Sequence, residues 1–170
     1  MVQKGLFHCR KDSRHLRSWR DRWKITPMDN IDVMVLKALK GWRSAGERAL
    51  LATVVRTWGS SPRPVGSMMA LREDGRAVGS VSGGCIEDDL IARYTRSLNA
   101  SAGIPDSTPQ LARYGISADE AHRFGLPCGG TLELLLEFNP DASSLEALCS
   151  ELEQGHLMER RVNCANGAVA

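Results

Sequence analysis

Aromatic side chains and long apolar runs are scarce in this sequence of 170 residues. Phe, Trp and Tyr make up 5% of the chain, so aliphatic side chains must supply most of any core. No apolar run approaches the roughly 18 residues that cross a membrane. The basic first residues are not followed by the apolar segment of a signal peptide. We therefore predict a protein that has no membrane partner.

No CxxC pair occurs among the five cysteines, which are Cys9, Cys85, Cys128, Cys149 and Cys164. Their odd number and wide spacing argue against a secreted disulfide scaffold and against a zinc ribbon. No GxGxxG follows a predicted strand, so the chain has no dinucleotide fingerprint of its own. These absences favour a cytoplasmic protein, in which free thiols can serve as nucleophiles or ligands.

The basic residues are concentrated at the start of the chain. Residues 1–27 contain eight Lys or Arg against two Asp, a net +6, so the rest carries −4 within the total of +2. Such an arm can bind nucleic acid or a partner, and a mitochondrial presequence is a weaker alternative. Because "MDNIDVMVL" from Met28 is typical of a helix start, we interpret residues 1–27 as a disordered leader or a mis-assigned start, with no nucleic-acid partner.

Apolar periodicity predicts an alternation of helices and strands. Helices are predicted near residues 29–43, 85–98 and 143–153, and a short one ends at Gly125. Strands are predicted near residues 49–57, on both sides of Asp74-Gly75, and at residues 131–138, and the tail could begin another strand. The predicted fold class is therefore α/β: a single domain with a mixed sheet and flanking helices, and no Rossmann domain.

Three stretches are richer in glycine and polar residues than ordinary connections: Gly59–Gly66, Ser80–Cys85 and Pro127–Thr131. In "SVSGGC" the pair Gly83-Gly84 lies between a strand and a helix. The free amides of a first helical turn form a cradle for an anion, and glycine lets a ligand approach the backbone. A phosphate or oxyanion of a cofactor would occupy this cradle, and the alternative is a tight turn that binds no ligand.

Cys85 is predicted at the cap or in the first turn of this helix, where the helix dipole favours a thiolate. Glu87, Asp88 and Asp89 oppose that effect and repel an anion. If Glu87 points toward a ligand, it can act as a base or as a hydrogen-bond acceptor. The alternative for Cys85 is a small buried apolar residue.

A second cysteine loop, "PCGG", places Cys128 before Gly129-Gly130. Cys85 and Cys128 could converge on one site, and soft thiolates suit soft metals and sulfur chemistry.

The proline-rich loop "SSPRPVG" adds a cation and two hydroxyls. Arg63 could supply positive charge to an anionic cofactor. Ser60 and Ser61 could donate hydrogen bonds to it, or serve only as turn residues.

Together and in order, "GSSPRPVGSMMAL", "GSVSGGCIEDDL" and "GLPCGGTLEL" resemble the xanthine dehydrogenase accessory factor family of the XdhC/CoxI type, over about residues 28–138. The resemblance implies a chaperone rather than an enzyme. Such a chaperone binds the molybdenum cofactor, molybdopterin with its metal, as cargo and protects it. It assists the sulfuration of the cofactor and its insertion into xanthine dehydrogenase or a related molybdenum hydroxylase. Residues 28–140 would form the family domain, and residues 141–170 a helix and an incomplete C-terminal tail.

The resemblance also implies partners and contacts. The partners are the molybdenum hydroxylase apoenzyme and a cysteine desulfurase. Cys85 and Cys128 are the leading cofactor contacts, with Cys85 facing the molybdenum. The full candidate set is Ser60, Ser61, Arg63, Ser82, Gly83, Gly84, Cys85, Glu87, Cys128, Gly129 and Gly130.

Typical family members carry a second, Rossmann-type domain, which these 170 residues do not contain. A self-dimer, a separate Rossmann-domain partner chain and a truncated product all remain open. Two other functions remain open as well. One is a structural half that docks on a Rossmann partner, and the other is a dithiol redox protein that uses Cys85 and Cys128.

Overall fold

Helices and strands alternate through the part of the chain that the structure describes. This computed structural model describes residues 7–9, 30–59, 63–95, 103–115 and 131–170. The helices in these ranges are α1 (Asn30–Ser44), α2 (Cys85–Tyr94) and α3 (Ala142–Glu153). The strands are β1 (Phe7–Cys9), β2 (Ala49–Trp58), β3 (Met68–Arg72), β4 (Ala77–Gly79), β5 (Gln110–Tyr114), β6 (Thr131–Phe138) and β7 (Arg160–Val162).

Five of the strands form one sheet in the order β4-β3-β2-β6-β5, and each neighbouring pair is antiparallel. β3 and β4 are the predicted hairpin. Its turn is closed by Gly75 N–H, which donates to the Arg72 carbonyl at 2.9 Å. The α/β class with flanking helices is confirmed, but the five-stranded sheet is antiparallel throughout rather than mixed as predicted. The parallel pairing lies outside this sheet, between β1 and β7.

β2 lies at the centre of the sheet and is buried on both faces. Leu50 and Ala52 belong to one apolar core, which α2 joins through Ile86. Leu51 points the other way, into a second core that α1 and α3 cover. A fully buried Leu contributes roughly 1.5–3 kcal/mol. The continuous apolar sequence of β2 therefore positions helices on both sides of the sheet.

One end of the sheet carries the described residues that border the loops singled out from the sequence. β2 ends at Trp58, opposite Thr131, the first residue of β6. β5 ends at Tyr114, opposite Leu132. β4 runs in the same direction as β2, because both are antiparallel to β3, so residues 80–84 leave the sheet toward this end. We call it the Trp58 end.

α2 is shorter than the sequence predicts. It ends at Tyr94 rather than Leu98, because Thr95 adopts an extended backbone with φ −124° and ψ 152°. The Thr95 hydroxyl donates to the Ile91 carbonyl at 2.8 Å and so satisfies one of the last helical acceptors. The short helix predicted to end at Gly125 lies outside the described residues.

A buried ion pair ties β7 to the main sheet. β7 pairs in parallel with β1, and Val162 bridges to Val169. Nη1 of Arg160 donates to both carboxylate oxygens of Glu137 in β6, at 2.8 and 2.7 Å. Both side chains are almost fully buried.

The described cysteines differ in state. Cys85 is an exposed free thiol, and Cys149 is a buried one that packs in the core under α1 and α3. Burial raises the pKa of the Cys149 thiol. Cys164 is disulfide-bonded, so the expectation of free thiols does not hold there.

The domain boundaries at residues 27 and 140 stay predictions. Of residues 1–27 the structure describes Phe7–Cys9, a short strand that the sequence did not predict. Among the described helices, none has the length and apolar character needed to span a membrane.

Candidate functional site

The loop between β4 and α2 closes around a carboxylate of its own helix. Ser80 N–H donates to the Met68 carbonyl at 3.0 Å, which anchors the loop to β3. The loop then turns so that its donors converge on Glu87, in the first turn of α2. We call residues 80–84 together with the Glu87 carboxylate the Glu87 clasp.

Six donors reach this carboxylate. Four are backbone amides and two are serine hydroxyls, so every residue of the loop contributes. Oε1 of Glu87 accepts from Ser80 Oγ (2.7 Å), Val81 N (2.8 Å), Ser82 N (2.8 Å) and Gly83 N (3.0 Å), and Oε2 accepts from Gly84 N (2.9 Å) and Ser82 Oγ. Because two carboxylate oxygens offer about four lone-pair sites, Glu87 has no capacity left for another donor.

Gly83 gives the clasp its backbone shape. Its φ is +100°, in the region that favours glycine. Gly84 follows as the N-cap of α2, and its N–H is the one that donates to Oε2 of Glu87. An acid at the third helical position that reaches back to the N-cap amide is half of a capping box.

The clasp keeps Glu87 ionised. Burial raises the pKa of this carboxyl, but the hydrogen bonds from Ser82, Gly83 and Ser80 outweigh it, so the pKa lies well below its usual range. A full negative charge therefore sits inside the ring of loop amides.

Cys85 is the first residue of α2 and lies between two fixed neighbours. Gly84 is bound to Glu87, and Ile86 is fully buried in the core. The Cys85 side chain is exposed and its thiol is free. The predicted helix start is thus confirmed, and the alternative of a buried Cys85 is excluded.

The remaining acids of this turn have separate positions. Asp89 accepts a hydrogen bond from Tyr114 Oη at 2.9 Å and pairs with Arg93 Nε at 2.8 Å. Burial and the bond to Asp89 raise the pKa of Tyr114 above its ordinary value. This contact attaches α2 to the end of β5, while Asp88 is exposed.

The structure brings together one part of the predicted site. Ser82, Gly83, Gly84, Cys85 and Glu87 form a single turn. Arg63 is described and exposed, and it lies in the loop that follows β2. The other candidates lie outside the described residues; they are Ser60, Ser61, Cys128, Gly129 and Gly130. Their convergence with Cys85 stays a prediction.

No group of three His, Cys, Asp or Glu side chains that could hold a metal ion occurs within residues 30–59, 63–95, 103–115 and 131–170.

A second cluster at the Trp58 end was not predicted. The guanidinium groups of Arg56 and Arg113 lie 5.4 and 5.6 Å from the ring centre of Trp58, within cation–π range. Glu133, almost fully buried, holds Arg113 Nε at 2.8 Å. Arg56 and Trp58 alternate at the exposed end of β2, which is the sequence signal that could have revealed the cluster.

A cleft of about 680 Å³ opens at the opposite end of the sheet, among residues 106–109, 137–141 and 166–169. Two acids that line it already have partners. Asp106 accepts from Asn139 Nδ2 at 2.7 Å, and Asp141 caps α3 by accepting from Ser144 N at 2.8 Å. No residue of the Glu87 clasp lines this cleft, so the candidate site remains the turn that carries Cys85.

Comparison with known proteins gives one consistent relationship. Residues 42–115 match the model described as the XdhC and CoxI family. The chain is 36% identical over 110 residues to "Molybdenum cofactor insertion chaperone PaoD" of Escherichia coli K12, which covers 65% of this chain and 32% of that protein. It is 34% identical over 83 residues to a probable xanthine dehydrogenase subunit of Bacillus subtilis 168, which covers 49% of this chain and 23% of that protein.

A solved structure agrees with these relatives. The crystal structure of a xanthine dehydrogenase from Bacillus halodurans superposes with a TM-score of 0.55 at 30% identity, and the match covers 72% of this chain and 35% of that one. The chain therefore spans about a third of the length of PaoD and of the solved structure, and about a quarter of the Bacillus subtilis protein.

Proposed function

We propose that the protein is a maturation factor that binds the molybdenum cofactor as cargo, because residues 42–115 match the model of the XdhC and CoxI family. The similarity to a protein named as a molybdenum cofactor insertion chaperone supports this proposal. Cys85 lies within the matched segment. Its exposed free thiol is the observation that identifies a cargo-binding residue in this proposal.

The thiol fits a cargo that contains molybdenum and sulfur. A thiolate is a soft ligand that suits soft metals and sulfur chemistry. The bound cargo would supply the metal centre, and Cys85 offers an exposed sulfur at the start of α2. A site that binds the cargo and later releases it unchanged belongs to an accessory protein rather than to an enzyme.

The finer parts of the proposal concern partners and place. We propose delivery to a molybdenum hydroxylase apoenzyme such as xanthine dehydrogenase, with a cysteine desulfurase supplying sulfur for the cofactor. A separate Rossmann-domain partner chain or a second copy would complete the assembly, and the cytoplasm is the proposed location. The proposed further cargo contacts are Arg63, Ser60, Ser61, Cys128, Gly129 and Gly130.

The test compares Cys85→Ala with Cys149→Ala, which removes a buried thiol instead. Both proteins are purified from cells that make the cofactor. Molybdenum is measured by mass spectrometry and pterin by fluorescence after oxidation. We expect Cys85→Ala to lose at least tenfold in bound cargo, while its stability changes within about 0.5 kcal/mol because the side chain is exposed.

We expect Cys149→Ala to keep its cargo and to lose about 1 kcal/mol of stability, because it removes core contacts. A Cys85→Ala protein that holds molybdenum and pterin at the wild-type ratio would refute the role of the thiol.

A further inference from the structure

The Ser80–Gly84 loop has the amides of an anion site, but its own helix supplies the anion. We infer that this loop does not bind the phosphate or other anionic groups of the cargo, and that Glu87 is a positioning residue that holds the Cys85 thiol outward. The identity of the cargo in this inference rests on the proposed function. The role of Glu87 rests on the geometry of the clasp alone.

The first argument is that Glu87 already occupies the hydrogen-bond donors of the loop. Each backbone residue has one N–H, and the N–H groups of Val81, Ser82, Gly83 and Gly84 all donate to Glu87. The hydroxyls of Ser80 and Ser82 do the same. A phosphate could enter only by displacing the carboxylate, which would leave a half-buried charge without the donors that now satisfy it.

The second argument is the local charge. Residues 77–92 contain three acids, Glu87, Asp88 and Asp89, and no Lys or Arg. The next cation along the chain, Arg93, pairs with Asp89 at 2.8 Å. These acids oppose the attraction that the amides and the helix dipole exert on a dianion.

The third argument concerns the thiol. The clasp fixes Gly84, and the core fixes Ile86. The backbone of Cys85 is therefore held on both sides, and its side chain can point only away from the core. In this arrangement the clasp presents the Cys85 sulfur to the cargo, and the anionic groups of the cargo must be bound by other surfaces.

The first test uses the wild-type protein without cargo, and the probe is inorganic phosphate. Amide resonances of residues 81–84 are followed by NMR during a phosphate titration at constant ionic strength. We expect these four amides to keep their positions at millimolar phosphate and to be protected from hydrogen exchange. Saturable shifts of these amides would overturn the inference.

The second test removes the internal anion. Glu87→Gln keeps the size of the side chain but turns an amide group toward the donors. Asp88→Asn makes the same change of charge on the exposed neighbour and is the matched control. We expect exchange at residues 81–84 to speed up at least about tenfold in Glu87→Gln, as local opening becomes easier. The alkylation rate of Cys85 should also change in Glu87→Gln. Asp88→Asn should match the wild type in both the exchange rate and the alkylation rate.

Equal exchange and alkylation rates in Glu87→Gln and wild type would show that Glu87 does not position the thiol. If Glu87→Gln does not fold, Ser82→Ala removes one hydroxyl donor and leaves all amides, and a smaller change in the same two readouts is expected. Both readouts are made without cargo. Failure of this inference is therefore separable from failure of the cargo assay on Cys85→Ala.

Discussion

Replacing one partner of the buried ion pair between Glu137 and Arg160 should destabilise the domain more than replacing both partners together. The two side chains are 3% and 5% exposed. A single nitrogen, Nη1, makes both hydrogen bonds to the carboxylate. Within the described part of the chain, Nε and Nη2 of Arg160 have no hydrogen-bond partner. The pair is thus satisfied on the acid side and incomplete on the basic side.

The expected magnitudes follow from these contacts. Arg160→Met leaves a buried carboxylate alone, and Glu137→Leu leaves a buried guanidinium alone, so each should cost about 3–5 kcal/mol. The double variant removes both charges and also the two unpartnered donors, each of which costs about 1–3 kcal/mol where it is buried. The free energy of unfolding of the double variant should therefore be at most about 1–2 kcal/mol below that of the wild type, and it could exceed the wild-type value. The coupling between the two sites should therefore be about 3 kcal/mol or more.

The pair also predicts a pH dependence. Burial raises the pKa of Glu137, and Arg160 lowers it only in part, so the net shift is upward. Arg160→Met removes the part that lowers the pKa, so the pKa should rise further. A carboxyl with a raised pKa favours folding in its protonated form. The single variant should therefore gain stability as the pH falls from 7 toward the ordinary carboxyl value of roughly 4.3.

Urea denaturation of the four proteins, followed by circular dichroism at neutral and mildly acidic pH, measures these quantities. Single variants within about 1 kcal/mol of wild type would refute the burial argument. A double variant as unstable as the sum of the singles would refute the coupling.

Three smaller perturbations test the Glu87 clasp and its surroundings. Burial raises the pKa of Glu87, but its hydrogen bonds lower it further, so the net shift is downward. The ionised carboxylate should therefore stabilise the fold fully above roughly pH 4.5, and this stabilisation should be lost as the pH falls. The stability of Glu87→Gln should depend less on acid pH than that of the wild type, and an unchanged acid midpoint would contradict this. Gly83→Ala, at φ +100°, should cost about 1–2 kcal/mol, whereas Gly41→Ala inside α1 should gain about 0.5–1 kcal/mol, and equal melting shifts would refute the contrast. Tyr114→Phe should cost about 1.5 kcal/mol in urea because Asp89 loses a donor, and no loss would show that the bond does not contribute.

The strongly patterned elements could be predicted from sequence. α1 follows from its three- and four-residue apolar spacing, β2 from an apolar run on both faces, and the β3–β4 hairpin from Asp74-Gly75. β5 could not be predicted, because its residues are mostly exposed and it becomes a strand only by pairing with β6. The end of α2 was missed because the extended backbone of Thr95 is set by its buried position rather than by helix propensity.

The candidate site was predicted in part for a similar reason. Sequence reasoning identified Gly83, Gly84 and Cys85 at a helix start and recognised that the loop amides could bind an anion. It left open where Glu87 points, because spacing alone does not distinguish an internal carboxylate from an external phosphate. The signal was the acid at the third helical position, which commonly reaches back to the N-cap amide. The part of the site around Cys128 stays a prediction.

The burial of β2 on both faces has a consequence for protein synthesis. Residues 49–54 are all buried, yet β6, which pairs with β2 along one edge, is made much later: Phe138 lies opposite Leu50, 88 positions further along. A growing chain therefore emerges from the ribosome with one edge of its central strand unpaired. Exposed apolar strand edges pair readily with other chains. Ribosome-bound chains that end before Thr131 should accordingly recruit general chaperones, and those extended past Phe138 should release them.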